Sequence, residues 1–156
     1  MRVFRDKTRF GYILAIIFGV GLILGGCAAT INYSFDPVAD FSTIKSYTWA
    51  TESSAYRQDP LIEKNVRYYA DQFLKNKGFT LTSDKPDFVI SMNYQLDYGN
   101  PYKMHILSLY VYRMPGRELI WQGTAAGTIK DIKSDAASND LAEAVTKILL
   151  DFPPKR

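Results

Sequence analysis

The chain has 156 residues, of which 47% are hydrophobic, 14% aromatic and 22% charged, with 19 Lys and Arg against 16 Asp and Glu. So much apolar and aromatic side chain excludes an intrinsically disordered protein, and the length suits one ordinary domain. Cys27 is the single cysteine, so no intramolecular disulfide can form.

The chain opens "MRVFRDKTRF", setting Arg2, Arg5, Lys7 and Arg9 against Asp6. These side chains account for the whole formal net charge of +3. The chain beyond them is neutral, which leaves no basic excess for nucleic acid or an anionic surface. An uncharged run follows from Phe10 to Gly26, closing on small residues. A basic start, an apolar stretch and a small-residue end outline a secretory signal. The competing reading is an uncleaved membrane anchor, which needs roughly 17–25 apolar residues. The run sits at the bottom of that range and carries glycines at 11, 19, 21, 25 and 26.

Leu24-Gly25-Gly26-Cys27 resembles the lipobox of bacterial lipoproteins, in which an aliphatic and two small residues precede the cysteine. The resemblance implies a diacylglyceryl group on the Cys27 sulfur, cleavage before it, and an acyl chain on the new amine. Two or more buried acyl chains anchor stably where one holds marginally. Lipidation also consumes the only thiol, so no thiol chemistry and no other cofactor is expected. The organisation expected is a signal peptide at 1–26, a lipidated N-terminus and short tether at 27–30, and a single domain at 31–156. Strand-like "TINYSF" starts so soon after Cys27 that the folded mass should lie within roughly 10–15 Å of the lipid. Ala28 stands where an aspartate would resemble an inner-membrane retention signal. The expectation is therefore the outer membrane with a periplasm-facing domain, the inner membrane being the alternative.

Asp36-Pro37 starts a turn, "ADFSTI" suits a helical turn, and "SYTWA" reads as a short strand. After "TESSAYRQ" comes a helix with Asp59 as N-cap and Pro60 at its first position. Ile62, Val66, Tyr69, Ala70 and Phe73 share its inner face, and Gly78 ends it with Lys75 and Lys77 at the negative end of its dipole. "DFVISMNYQLD" alternates as a half-buried strand, with Phe88, Ile90, Met92, Tyr94 and Leu96 against Val89, Ser91, Asn93 and Gln95. "DYGNPYK" is a hairpin turn. "MHILSLYVYR" follows, with Leu107, Leu109 and Val111 on one face and Ile106, Tyr110 and Tyr112 on the other, so its register stays open. The turn Met114-Pro115-Gly116-Arg117 suits a glycine at positive φ, and "ELIWQGTAAGTI" returns. Gly123 and Gly127 mark a bulge or a close backbone crossing. Finally "SNDLAEAVTKILLDFPP" is an amphipathic helix with Leu141, Val145, Ile148, Leu149 and Phe152 inward, stopped by Pro153-Pro154. The fold class expected is α+β: an antiparallel meander sheet with two amphipathic helices packed on one face.

"DPVADFSTIKSYTW", "DPLIEKNVR", "KGF", "PDFVIS", "ELIWQGTAAG" and "AVTKILLDFPP" occur in the order seen in the bacterial lipoproteins of domain of unknown function 4136, and the chain resembles that family across its mature length. The resemblance implies a periplasm-facing lipoprotein domain and brings no catalytic residues with it.

His105 is the only histidine, nothing matches G-x-S-x-G, and a zinc site wants three or four ligands. Asp131, Asp135, Asp140 and Glu143 near the last helix lack Ca²⁺-loop spacing and read as acids drawn to a helix N-terminus. The aromatics of the meander, Tyr94, Tyr98, Tyr102, Tyr110, Tyr112 and Trp121, form either cross-strand packing or an exposed surface for a partner protein, glycan or lipid. The expected function is a non-enzymatic envelope lipoprotein that binds, with membrane and envelope-protein partners and an unspecified oligomeric state. The alternatives are an envelope hydrolase acting on glycan or peptide, marked by a pocket with two carboxylates, and a lipid carrier, marked by an elongated apolar cavity between helices and sheet.

Overall fold

The computed structural model describes residues 29–51, 59–99, 103–130, 132 and 137–155. The leader, Cys27, Tyr102, Asp131 and Asp135 lie outside the described residues, and with them the expected lipobox at Leu24, Gly25 and Gly26.

The elements are β1 (Thr30–Phe35), β2 (Ser46–Trp49), α1 (Pro60–Asn76), β3 (Thr80–Leu81), β4 (Phe88–Asp97), β5 (Lys103–Arg113), β6 (Glu118–Lys130) and α2 (Ala137–Leu149). The six strands make one sheet in the order β1-β6-β5-β4-β2-β3. β4, β5 and β6 form the expected antiparallel meander, and β1 adds antiparallel to β6. β2, however, runs parallel to β4, and β3 parallel to β2. The sheet is therefore mixed rather than purely antiparallel. The reason is the helix between β2 and β4: a helical crossover carries the chain back to the end where it started, so the next strand runs the same way.

Asp59 caps α1 as expected, its Oδ1 accepting from the N–H groups of Leu61 and Ile62 ahead of Pro60. Gly78, at φ +89°, closes the other end. The segment "ADFSTI" does not make a helical turn. Asp40 Oδ1 instead accepts from the Ser42 N–H and hydroxyl, a local side-chain bond that competes with helix formation. At the Met114–Arg117 turn the left-handed residue is Arg117 (φ +53°), not Gly116, because the residue re-entering the strand is the one that must turn back in longer hairpin loops.

Both helices cover the sheet face that carries Phe88, Ile90, Met92, Leu107, Leu109 and Val111, all buried. α1 contributes Ile62, Val66, Ala70 and Leu74; α2 contributes Leu141, Val145, Ile148 and Leu149. Phe152, just beyond α2, is the hub of the interior. Its ring lies 5.2 Å from Trp121, 5.6 Å from Phe79 and Phe88, and 6.2 Å from Phe41, centroid to centroid. Such contacts fall in the favourable range for aromatic pairs.

Candidate open-face binding site

The opposite face of the sheet has no described element packed on it. Strand register sorts its side chains into four rows across the sheet, because directly paired residues point to one side. The first row is Thr48, Val89, Tyr112 and Leu119. The second is Ser91, Tyr110, Gln122 and Ser34; the third Asn93, Ser108, Thr124 and Asn32; the fourth Gln95, Ile106, Ala126 and Thr30. None of these positions carries a charge. Successive rows are about 6.8 Å apart. In the third row Ser108, only 5% exposed, shares a 2.9 Å hydroxyl bond with Thr124.

Two grooves cut this face. One, of about 500 Å³, is lined by Ala50, Thr51, Val89, Ser91, Tyr112 and Arg117. The other, of about 540 Å³, lies towards the β4–β5 hairpin and is bordered by Asn93, Gln95, Tyr98, Ile106, Ser108 and Tyr110. Tyr110 and Tyr112, two residues apart on β5, thus stand one in each groove. Charge appears only at the margins. Arg117 borders the first groove. Beyond the fourth row, His105 Nε2 lies 3.5 Å from Asp97 Oδ2. The Gly99 N–H, and then His105, hold the Asp97 carboxyl below its ordinary range. His105 is the extra residue of a bulge, since Met104 and Ile106 are paired on both sides and it is not.

The carboxylates of α1 are committed elsewhere. Asp71 Oδ1 accepts from Tyr47 OH at 2.7 Å and from Trp49 Nε1 at 2.9 Å. Glu63 Oε1 accepts from Tyr94 OH at 3.3 Å. Both acids border a shallow surface groove on α1. Eight residues apart on one helix, they are separated by about 12 Å along its axis, beyond the roughly 6.5–9.5 Å that glycoside cleavage by inversion requires.

The family model described as Domain of unknown function (DUF4136) matches residues 31–154. The chain belongs to that family. No curated protein matches it. Among solved structures, the DUF4136 domain resembles a DUF4136 family protein from Bacteroides thetaiotaomicron, at 13% identity and TM-score 0.59, over 82% of this chain and 97% of that one. It also resembles the PelC dodecamer from Paraburkholderia phytofirmans, at 13% identity and TM-score 0.59, over 82% and 99%. A PDZ domain protein from Parabacteroides distasonis aligns at 13% identity and TM-score 0.61 over 83% of this chain, which spans only 36% of that protein. At these identities the likeness establishes a shared fold.

Within this DUF4136 fold the meander aromatics divide. Tyr110 and Tyr112 are half-buried on the open face, and Tyr98, 56% exposed, lies beside it at the hairpin. Tyr94 points to the helix side, where its hydroxyl accepts from the Asp59 N–H and donates to Glu63; burial raises its pKa to about 12. Trp121 is corrected outright: at 1% exposure it belongs to the core and offers no binding surface. The reason is register: Trp121 pairs with buried Val111 and shares its face with Gly123 and Ala125, while the bulge at Ile120 turns Leu119, not Trp121, to the open face. The polar band of Asn32, Asn93, Ser108, Gln122 and Thr124 was not singled out from sequence. Its signal was present in the alternation of "DFVISMNYQLD", whose polar half is one strand of the face. Among the described residues no three His, Cys, Asp or Glu come together as a metal site, and no helix is long and apolar enough to cross a membrane.

Proposed function

We propose that this protein is a lipid-anchored envelope lipoprotein that works by binding, through the helix-free face of its sheet, and not by catalysis. The single observation that carries this reading is the asymmetry of the sheet. One face is packed with aliphatic and aromatic side chains, while the other presents an uncharged, grooved surface with Tyr110 and Tyr112 standing in it. Catalysis is disfavoured because Glu63 and Asp71 are occupied by Tyr94, Tyr47 and Trp49. Lipid carriage is disfavoured because the ring cluster around Phe152 fills the space between helices and sheet.

The anchor is Cys27, diacylated on sulfur and acylated on its amine. Ala29 already packs on the fold, since a Cβ on Gly127 would lie 3.0 Å from its Cα. Only Ala28 stands between the lipidated residue and Ala29, a reach of about 7 Å. The bilayer then faces the end of the sheet where β1 begins, β4 turns into β5 and β6 finishes. The outer membrane is the leaflet this reading favours, from Ala28.

The test is a photo-crosslinking amino acid placed at position 110 or 112 in intact cells, with position 64, on the exposed side of α1, as the control. Adducts specific to 110 and 112 are expected. Equal adducts at position 64, or none at any position, would overturn the open-face reading.

A further inference from the structure

We infer that the open face binds a neutral glycan chain, laid along β5 with pyranose rings on Tyr110 and Tyr112; this rests on the reading of that face as the binding surface.

The argument is chemical. A glycan without carboxylates, phosphates or amines offers hydroxyls that both donate and accept, and C–H faces that sit on aromatic rings. It needs no counter-charge and is discouraged by one that must be desolvated. The four rows meet each requirement. They hold no Lys, Arg, Asp or Glu. Asn93, Gln95 and Gln122 supply amides, each with two N–H donors and a carbonyl acceptor, and Ser91 and Thr48 supply hydroxyls. Tyr110 has Ser91 on one side and Gln122 on the other, about 4.8 Å away on each neighbouring strand. A ring stacked on it would therefore find polar partners at both edges. From first to fourth row the face runs for about 20 Å, and the two grooves together span it, one along the first two rows and the other from the second to the fourth. A protein partner fits less well. Protein interface cores are depleted in serine and rich in Arg, Met and clustered aromatics, whereas here Tyr110 is flanked by the Ser91 hydroxyl and the Gln122 amide, and only Tyr112, between Val89 and Leu119, has apolar neighbours across the strands. A charged polysaccharide would meet no partner until Arg117 or the Asp97–His105 pair at the margins.

The experiment uses the full chain in detergent, titrated calorimetrically with cellohexaose, maltohexaose and laminarihexaose, and with hexagalacturonate as the charged comparison. At least one neutral hexasaccharide is expected to bind at millimolar or better affinity, and hexagalacturonate at least tenfold more weakly. Tyr110→Ala should lower affinity tenfold or more, Tyr110→Phe should stay within about threefold because the ring is kept, and Asn93→Ala should fall in between. Thermal midpoints of all variants within a few degrees of the parent make these losses local ones; Tyr112→Ala replaces any variant that misfolds. Failure of every neutral hexasaccharide, or a Tyr110→Ala variant that binds unchanged, would overturn the glycan assignment. A proteinaceous adduct at positions 110 and 112 in cells, together with no glycan binding, would overturn the glycan while leaving the open face as the binding surface. Absence of adducts would overturn both.

Discussion

Trp121 and Gly123 lie two residues apart on the buried side of β6, and the glycine exists to accommodate the indole. A Cβ at position 123 would sit 2.4 Å from Trp121 Cη2 and 2.8 Å from Ile148 Cγ2, closer than atoms in a packed interior can approach. The expected close backbone crossing is found at Gly127, against the Ala29 backbone, whereas at Gly123 the neighbours are the Trp121 ring and the Ile148 side chain rather than a crossing backbone. Asp87 shows a single side chain organising backbone. Its Oδ2 accepts from the N–H groups of Lys45 and Ser46 and from the Ser46 hydroxyl, each at 2.8 Å. These bonds, led by the one from Lys45, hold its carboxyl below the ordinary range. A carboxyl with a depressed folded-state pKa adds stability that is present above its unfolded value, near 3.9, and lost as pH falls through the folded value. Thermal midpoints from pH 7 down to pH 2 should therefore drop further in the wild type than in Asp87→Asn. Equal drops would remove Asp87 from the acid sensitivity. Nothing in the sequence marked this aspartate, because its partners lie some forty residues away in the chain.

Elements are fastened to one another by a few such groups. Asp71 of α1 holds two aromatic side chains of β2 at once, and Arg67 adds its guanidinium over the Trp49 ring at 5.3 Å and a bond to the Ala50 carbonyl. Asp71→Ala should cost about 2–3 kcal/mol, since the Tyr47 hydroxyl, on a residue only 1% exposed, would lose its acceptor. Asp71→Asn keeps a carbonyl oxygen and should cost less. Urea midpoints at unchanged m-value measure both, and equal midpoints for all three proteins would show that this fastening adds nothing. Lys77 performs a comparable task between the helices: its amine donates to the carbonyl of Leu149 at the end of α2, a group left without an intrahelical partner, and to those of Leu150 and Phe152 just beyond it. The inner faces of both helices and the alternation of β4 were legible in the chain, since periods of 3.6 and 2 are local properties. Where β2 would pair was not. A four-residue strand carries too little pattern to choose between parallel and antiparallel neighbours, and the crossover through α1 made that choice.

The described residues form a single sheet with one face sealed by helices and the other uncovered. Cys27→Ser should remove the acyl label and move the protein from the membrane fraction to the soluble or unprocessed pool. Persisting acyl label on that variant would defeat the lipid assignment. A thermal midpoint that stays put would be expected in either case, since the cysteine precedes the fold. By itself the sequence determined the helices, the meander, the neutral charge of everything beyond the basic start, and the family, because each depends on residue types and short spacings. Only the tertiary structure decided that the sheet is mixed, that Trp121 is core while Tyr110 and Tyr112 are surface, and that amides and hydroxyls from four strands meet in one uncharged band. The physical reason is register: a one-residue bulge sends a side chain to the other face, and rows across a sheet join positions far apart in the chain.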